Sequence, residues 1–100
     1  GHTASLFPHA GNLAYALDAN NARLCTPIQA RESAVTGKLT ERMTLTLNAI
    51  RACNTIILLI TGEEKLEVYR TALHSRDTLG LPVSALLHGA GSKVSVYWAP

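Results

Sequence analysis

Cysteine is scarce in this sequence, and charges of neither sign dominate it. Cys25 and Cys53 are the only cysteines and do not form a CxxC pair, which argues against a metal or redox site. We expect two buried free thiols, because unpaired cysteine is among the most buried residue types, with a disulfide as the alternative. The net charge is only +2, and the basic residues do not cluster, so no nucleic-acid partner is predicted.

Long apolar runs are also missing. The longest, at residues 56–60, is far too short to span a bilayer, and we expect no secretory leader. A cytoplasmic protein without a membrane partner is therefore the default expectation. Hydrophobic residues make up 47% of the chain and charged residues 16%, which predicts a packed core rather than disorder.

The spacing of apolar residues predicts alternating helices and strands. Helices are predicted at residues 13–17, 48–53, 62–76 and 83–87, strands at 23–28, 43–47, 55–61 and 93–98, and a loop at 29–41. The strand at 55–61 consists of β-branched residues and leucine, which is typical of a strand buried on both faces of a parallel sheet. These elements favour an α/β layered fold with a mainly parallel sheet flanked by helices.

Particular residues mark the ends of these elements. Pro27 restricts its strand to a sheet edge or a bulged end. Thr61 and Glu64 have the spacing of a capping box, which predicts a helix start directly after the buried strand. Pro82 fits the first turn of a helix, and Gly89 is predicted to stop that helix.

The first eight residues combine groups that suit general base catalysis. They read Gly-His-Thr-Ala-Ser-Leu-Phe-Pro, and we call them the octet. A neutral imidazole such as that of His2 is the usual general base near physiological pH, and Gly1 lets a backbone approach a ligand closely. A histidine taken alone is more often a structural or surface residue, and the other three have no metal-ligand spacing. We expect His9 to be a loop residue, and His74 and His88 to be structural residues of helices.

The octet resembles the active-site signature of the 6-phosphogluconolactonases, in the sugar-phosphate isomerase/lactonase superfamily. That signature usually reads Asp-Gly-His-Thr-Ala-Ser-Leu-Phe-Pro, with the histidine as the proposed base, and the chain begins one residue too late to include the Asp. Two further stretches are similar to elements of this family. Arg42 opens a strand like the lactonase Arg-x-Thr-Leu-Thr element, and Lys65 ends a Gly-x-x-Lys turn.

Local sequence alone leaves two of these residues undecided. Arg42 is by default a surface residue at a strand entry. Lys65 lies in a first helical turn, where the helix dipole opposes a cation by roughly 0.3–1 kcal/mol and an anionic ligand would offset this; a solvated lysine is an equally good interpretation. Tyr97 and Trp98 are expected to pack in the sheet.

The resemblance implies a Rossmann-like fold and a reaction. The reaction is hydrolysis of 6-phosphoglucono-1,5-lactone to 6-phosphogluconate in the pentose phosphate pathway, without metal or cofactor. The resemblance also implies that His2 is the base and that Arg42 and Lys65 bind the substrate phosphate. Gly1 and Thr3 are then expected near the developing oxyanion.

The chain is short for this family, which limits the activity expected of it. Family members are usually more than twice as long, so residues 1–100 are expected to be the C-terminal portion of one such domain, with the N-terminal half absent and the chain alone inactive. A half-sheet would expose a hydrophobic strand edge, which favours self-association.

Two alternatives remain open at this point. The first is a glucosamine-6-phosphate deaminase/isomerase, in which the histidine is followed by a pattern resembling Ile-Ala-Phe-Asn-Glu-Pro; residues 3–8 contain no acid, which favours the lactonase. The second is a non-catalytic fragment that binds a sugar phosphate or is inert.

Overall fold

A computed structural model describes residues 4–32, 37–38, 40–90 and 93–100. Helices and strands follow one another within these ranges, which confirms the α/β class. In chain order the elements are α1 (Leu13–Leu17), β1 (Cys25–Gln29), β2 (Glu41–Leu45), α2 (Leu47–Arg51), β3 (Ile56–Thr61), α3 (Glu63–His74), α4 (Pro82–Ala90) and β4 (Val94–Ala99). Parts of the predicted loop at 29–41 lie outside the described residues.

β1 and β2 form an antiparallel pair, with Cys25 opposite Leu45 and Gln29 opposite Glu41. A parallel pair needs a crossover of a dozen or more residues, and the connection between these strands is shorter. The parallel arrangement that the sequence favours therefore does not extend to this pair. Pro27 lies in the middle of β1, where it is tolerated because both strands of a two-stranded sheet are edges.

β2 ends before the predicted strand end at residue 47, because Thr46 leaves the sheet to cap a helix. Its side chain is fully buried, and its Oγ1 accepts a hydrogen bond from the Ala49 N–H at 3.1 Å. The same hydroxyl donates to the Arg23 carbonyl at 2.7 Å. Thr46 is thus the N-cap of α2, a position that threonine suits.

β3 and β4 form a parallel pair, which confirms the parallel strand predicted at 55–61. The chain passes between them through α3 and α4, and these helices cover one face of the pair. Ile56 and Leu58 lie on that covered face, whereas Ile57 and Leu59 on the other face are 59% and 73% exposed. The prediction of burial on both faces is therefore wrong for the described part of the chain, because its helices cover one face.

α3 begins without the predicted capping box. Thr61 is the last residue of β3 and pairs with Ala99, so Gly62 takes the N-cap position and provides no side-chain hydrogen bond. The helix ends at His74, where Ser75 is already extended, slightly earlier than predicted. The helix itself is confirmed, but the sheet fixes its start.

Most residues of α4 are buried. The helix begins at Pro82, as predicted, but it continues through Gly89 to Ala90, so the predicted stop is wrong. Val83 packs in a cluster with α3, and Leu86 packs in another with α2. Burial against two helices offsets the low helix propensity of glycine, which costs about 1 kcal/mol.

The buried apolar side chains form three clusters. The first joins the N-terminal segment to α1 and β1 around Leu6, Leu13 and Ile28, and the other two surround α4. Leu17 and Ile50 contact both the first and the second cluster, so they join the two halves of the molecule. Among the described residues, no helix has the length and apolar character needed to cross a membrane.

Both cysteines are free, as expected, but they are exposed rather than buried. Cys25 begins β1, on the face of that strand that points away from the core. Cys53 follows α2, where Asn54 and Thr55 are also exposed. The expectation of burial is wrong because strand alternation and a helix end place these two thiols at the surface.

Candidate active site

The octet is described except for its first three residues. Gly1, His2 and Thr3 lie outside the described residues, so the roles expected for them stay predictions. Leu6 is 1% exposed and Phe7 is 7% exposed, and both belong to the cluster built on α1 and β1. Each such side chain contributes about 1.5–3 kcal/mol through burial. The described part of the octet is therefore anchored in the core by Leu6 and Phe7.

The backbone around the octet contains several left-handed residues. Ala4, His9 and Asn12 have φ angles of 51°, 53° and 70°, a region that costs a non-glycine residue roughly 1–2 kcal/mol. Two are held by hydrogen bonds: the His9 N–H donates to the Leu79 carbonyl at 2.7 Å, and the Asn12 amide donates to the Pro27 carbonyl at 2.7 Å. Residues in such conformations are often found at functional sites.

Arg42 lies on β2, and the structure places it against the octet. Its Cζ atom is 5.9 Å from the centroid of the Phe7 ring, within the range of a cation–π interaction. The side chain is half-buried. Two motifs that are distant in the sequence therefore meet, because the β1–β2 hairpin packs on the segment that follows the octet.

The threonines of the Arg-x-Thr-Leu-Thr element face the core. Thr44 is 3% exposed, and its hydroxyl donates to the Leu45 carbonyl at 3.0 Å. Thr46 caps α2, as described above. Both hydroxyls are engaged within the protein, and the residue of this element that contacts the Phe7 ring is Arg42.

Lys65 lies in the first turn of α3, as predicted, and is exposed. Gly62 before it has φ 86° and ψ 156°, a conformation that essentially only glycine adopts. α3 packs mainly on α4 and β3, whereas Arg42 belongs to β2. Lys65 thus lies on a helix that packs against the β3–β4 sheet, whereas Arg42 lies in the β1–β2 sheet and contacts the Phe7 ring of the octet.

An open cavity of about 490 Å³ adjoins the octet. Its lining includes His9, Asn12, Leu13, Tyr15, Arg31 and Leu79. The sequence predicts only a loop residue at His9 and no role for Tyr15 or Arg31. The sequence signal for His9 is its position directly after the octet. Arg31 follows β1, and the bridge between Gln29 of β1 and Gly11 brings it near the same segment.

The described part of the site offers cationic and neutral donors. Arg31, Arg42 and Lys65 are cations, and guanidinium and ammonium groups suit phosphate and carboxylate ligands. In the ranges that the structure describes, no three His, Cys, Asp or Glu side chains are grouped closely enough to hold a metal ion. The arrangement suits the recognition of an anionic small molecule.

Comparison with known proteins identifies the family. The model of the family described as glucosamine-6-phosphate isomerases/6-phosphogluconolactonase matches residues 1–98. The chain belongs to this family. The match includes the octet, the strand of Arg42 and the Gly62–Lys65 turn, so the resemblance inferred from these motifs is confirmed.

Relatives within the family are named 6-phosphogluconolactonase. The protein of Rhizobium meliloti (strain 1021) is 35% identical over 100 residues, which make up 100% of this chain and 41% of the relative. That of Mesorhizobium japonicum is 39% identical over 102 residues, covering 100% of this chain and 39% of the relative.

A solved structure of the same name has the same fold. The crystal structure of a 6-phosphogluconolactonase from Shewanella baltica OS155 is 35% identical and matches with a TM-score of 0.81. The match covers 100% of this chain and 40% of that one. The chain thus spans about two fifths of the length of the relatives that it matches.

Proposed function

We propose that this chain carries the catalytic base and two phosphate ligands of a 6-phosphogluconolactonase. The reaction is hydrolysis of 6-phosphoglucono-1,5-lactone to 6-phosphogluconate in the pentose phosphate pathway. The contact that carries the proposal is the 5.9 Å approach of Arg42 to the Phe7 ring, since it brings a predicted anion ligand onto the octet. The family match and the names of the relatives support it.

His2 is the base in this mechanism. Its neutral imidazole takes a proton from water as the water oxygen attacks the lactone carbonyl carbon. The tetrahedral intermediate then collapses, the bond from that carbon to the ring oxygen breaks, and the imidazolium protonates the ring oxygen. The backbone N–H groups of Gly1 and Thr3 stabilise the oxyanion. These steps balance with water as the only co-reactant.

Arg42 and Lys65 hold the substrate phosphate in the proposed site. A planar guanidinium binds phosphate through two parallel hydrogen bonds, and the guanidinium carbon of Arg42 lies 5.9 Å from the centroid of the Phe7 ring. Holding the phosphate at a distance from the reacting carbonyl orients that carbonyl against the base, which lowers the entropic part of the barrier.

In this proposal the rest of the site comes from the part of the relatives that this chain does not match. The relatives are about two and a half times as long as this chain, and we assign residues 1–100 to the C-terminal portion of a single lactonase domain. Further ligands from the other portion complete the site, so the chain alone is expected to show little activity. We place the reaction in the cytoplasm.

The test is a chimaera in which this chain replaces the matching 41% of the Rhizobium meliloti relative. Lactone hydrolysis releases a proton, so a pH-stat follows it above the spontaneous rate. We expect His2→Ala to lower kcat by about 10²–10⁴-fold, the usual contribution of general acid–base catalysis. The matched control is His74→Ala, because His74 is exposed at the end of α3. Normal turnover of the His2→Ala chimaera would refute the assignment.

Glucosamine-6-phosphate isomerisation is the second candidate, since the family description includes it. Residues 3–8 lack the acid of the isomerase pattern, and this favours the lactonase. Ammonia release from glucosamine 6-phosphate by the chimaera, without lactone hydrolysis, would reverse the choice. Saturable binding of 6-phosphogluconate with neither reaction would indicate a non-catalytic binding module.

A further inference from the structure

The last strand holds the turn before Lys65 at two points. The Gly62 N–H donates to the Ala99 carbonyl at 2.9 Å, and the Gly62 carbonyl accepts a hydrogen bond from Trp98 Nε1 at 2.9 Å. The same carbonyl accepts the Leu66 N–H at 3.3 Å, which is a helical bond of α3. Gly62 is thus the joint between β3 and α3, and β4 bonds both of its polar groups.

Hydrogen bonds hold this joint. A Cβ atom added to Gly62 would have no neighbour within 4 Å, so crowding at that position does not dictate a glycine. Its φ of 86° is available to glycine without strain but is not preferred over other glycine conformations. The bonds from β4 therefore select this conformation.

The parallel register explains why Trp98 reaches the turn. Trp98 lies opposite Ile60, on the face of the sheet that carries Ile56 and Leu58 and is covered by the helices. Trp98 is 38% exposed, at the end of the sheet where α3 begins. An indole N–H is a donor only, and here its acceptor is the carbonyl that starts the helix.

We propose that Trp98 is a positioning residue for Lys65. By binding the Gly62 carbonyl, its indole N–H fixes the start of α3 and so the place at which Lys65 presents its ammonium group to the substrate phosphate. The inference rests on the proposed function for the role of Lys65, and extends it to a residue in the last strand.

Amide exchange tests the structural half of this inference without any ligand. In the 100-residue chain, Trp98→Phe keeps an aromatic ring and removes the donor. We expect hydrogen exchange at the Gly62 and Leu66 amides to accelerate about fivefold, as the loss of one net hydrogen bond allows. The control is Tyr97→Phe, whose side chain is exposed on the other face. Exchange no faster than in that control would overturn the inference.

Ligand affinity tests the functional half. We expect Trp98→Phe to raise the Kd for 6-phosphogluconate about fivefold, and Tyr97→Phe to leave it unchanged. Val96→Ala removes apolar contact from the covered face of β4 without touching Gly62, so it lowers stability but not affinity. An equal rise of Kd in Val96→Ala and Trp98→Phe, at matched loss of stability in urea, would make Trp98 merely structural and overturn the inference.

Tryptophan fluorescence tests whether the phosphate binds near Trp98 and Lys65. Trp98 is the only tryptophan in the sequence, so binding of 6-phosphogluconate beside it should change the emission of the unmodified chain. Lys65→Met should abolish that change, whereas Lys93→Met should retain it, because Lys93 bonds the Arg51 carbonyl at the opposite end of β4. A response that survives in Lys65→Met would overturn the role of Lys65.

The exchange experiment and the binding experiments can fail independently, so they separate the inference from the proposed function. If the unmodified chain and the chimaera both fail to bind 6-phosphogluconate, the proposed function fails. The exchange rates at Gly62 and Leu66 then decide by themselves whether Trp98 fixes the turn.

Discussion

Thr46 makes two hydrogen bonds that fix the end of β2 and the start of α2. Its hydroxyl accepts from the Ala49 N–H and donates to the Arg23 carbonyl, and its side chain is fully buried. We expect Thr46→Ala to lower the free energy of unfolding by about 1–3 kcal/mol, because it removes both a helix cap and the hydrogen bond to the Arg23 carbonyl. Urea unfolding followed by circular dichroism measures this loss.

Thr71→Ala is the matched control, because it is the same substitution at an exposed position inside α3. Alanine is the better helix former, so Thr71→Ala should raise stability slightly, by less than about 0.7 kcal/mol. Equal losses in the two variants would show that the cap does not stabilise α2.

At the level of the secondary-structure elements, alanine substitutions at two glycines should change stability in opposite directions. Gly62 has a positive φ that alanine adopts only with strain, so Gly62→Ala should destabilise the joint between β3 and α3 by about 1–3 kcal/mol. Gly89 lies inside α4, and a Cβ there would meet Arg51 at an ordinary contact distance of 3.5 Å. Gly89→Ala should therefore stabilise the protein by up to about 1 kcal/mol. The midpoint of thermal unfolding separates the two outcomes, and a shift of the same sign in both would contradict the assigned geometry.

The molecule as a whole presents an apolar face on the β3–β4 sheet. Ile57 and Leu59 lie on this face, and Tyr97 is directly opposite Leu59 and is 59% exposed. Apolar patches of this kind mark interaction surfaces. Within the described residues, each of the two strands also has an open edge. We expect the 100-residue chain to self-associate with rising concentration, as sedimentation velocity would show, and Leu59→Thr to reduce the association.

Leu24 offers a control for that experiment, because it is 69% exposed and lies outside the β3–β4 sheet. Leu24→Thr should leave the association unchanged, since it removes a similar amount of exposed apolar surface from a different part of the molecule. A chain that stays monomeric at every concentration would refute the predicted association.

Sequence patterns predicted the elements well and their boundaries less well. Composition, capping residues and apolar spacing together located the eight helices and strands of the described ranges, because each of these patterns reflects local geometry. The capping box of Thr61 failed because that residue is paired in the sheet, and the stop at Gly89 failed because two helices bury α4. Pairing and burial depend on residues distant in the chain, which local patterns do not contain.

The sequence by itself determined the family, since the octet and the two following elements are read directly from residue order and the family model matches them. It also determined the α/β class, because helix and strand periodicities are local. Only the tertiary structure placed the Arg42 guanidinium over the Phe7 ring, exposed one face of the β3–β4 sheet, and bonded Trp98 to the turn before Lys65. Each of these depends on how distant segments pack and pair, and residue order does not specify that directly.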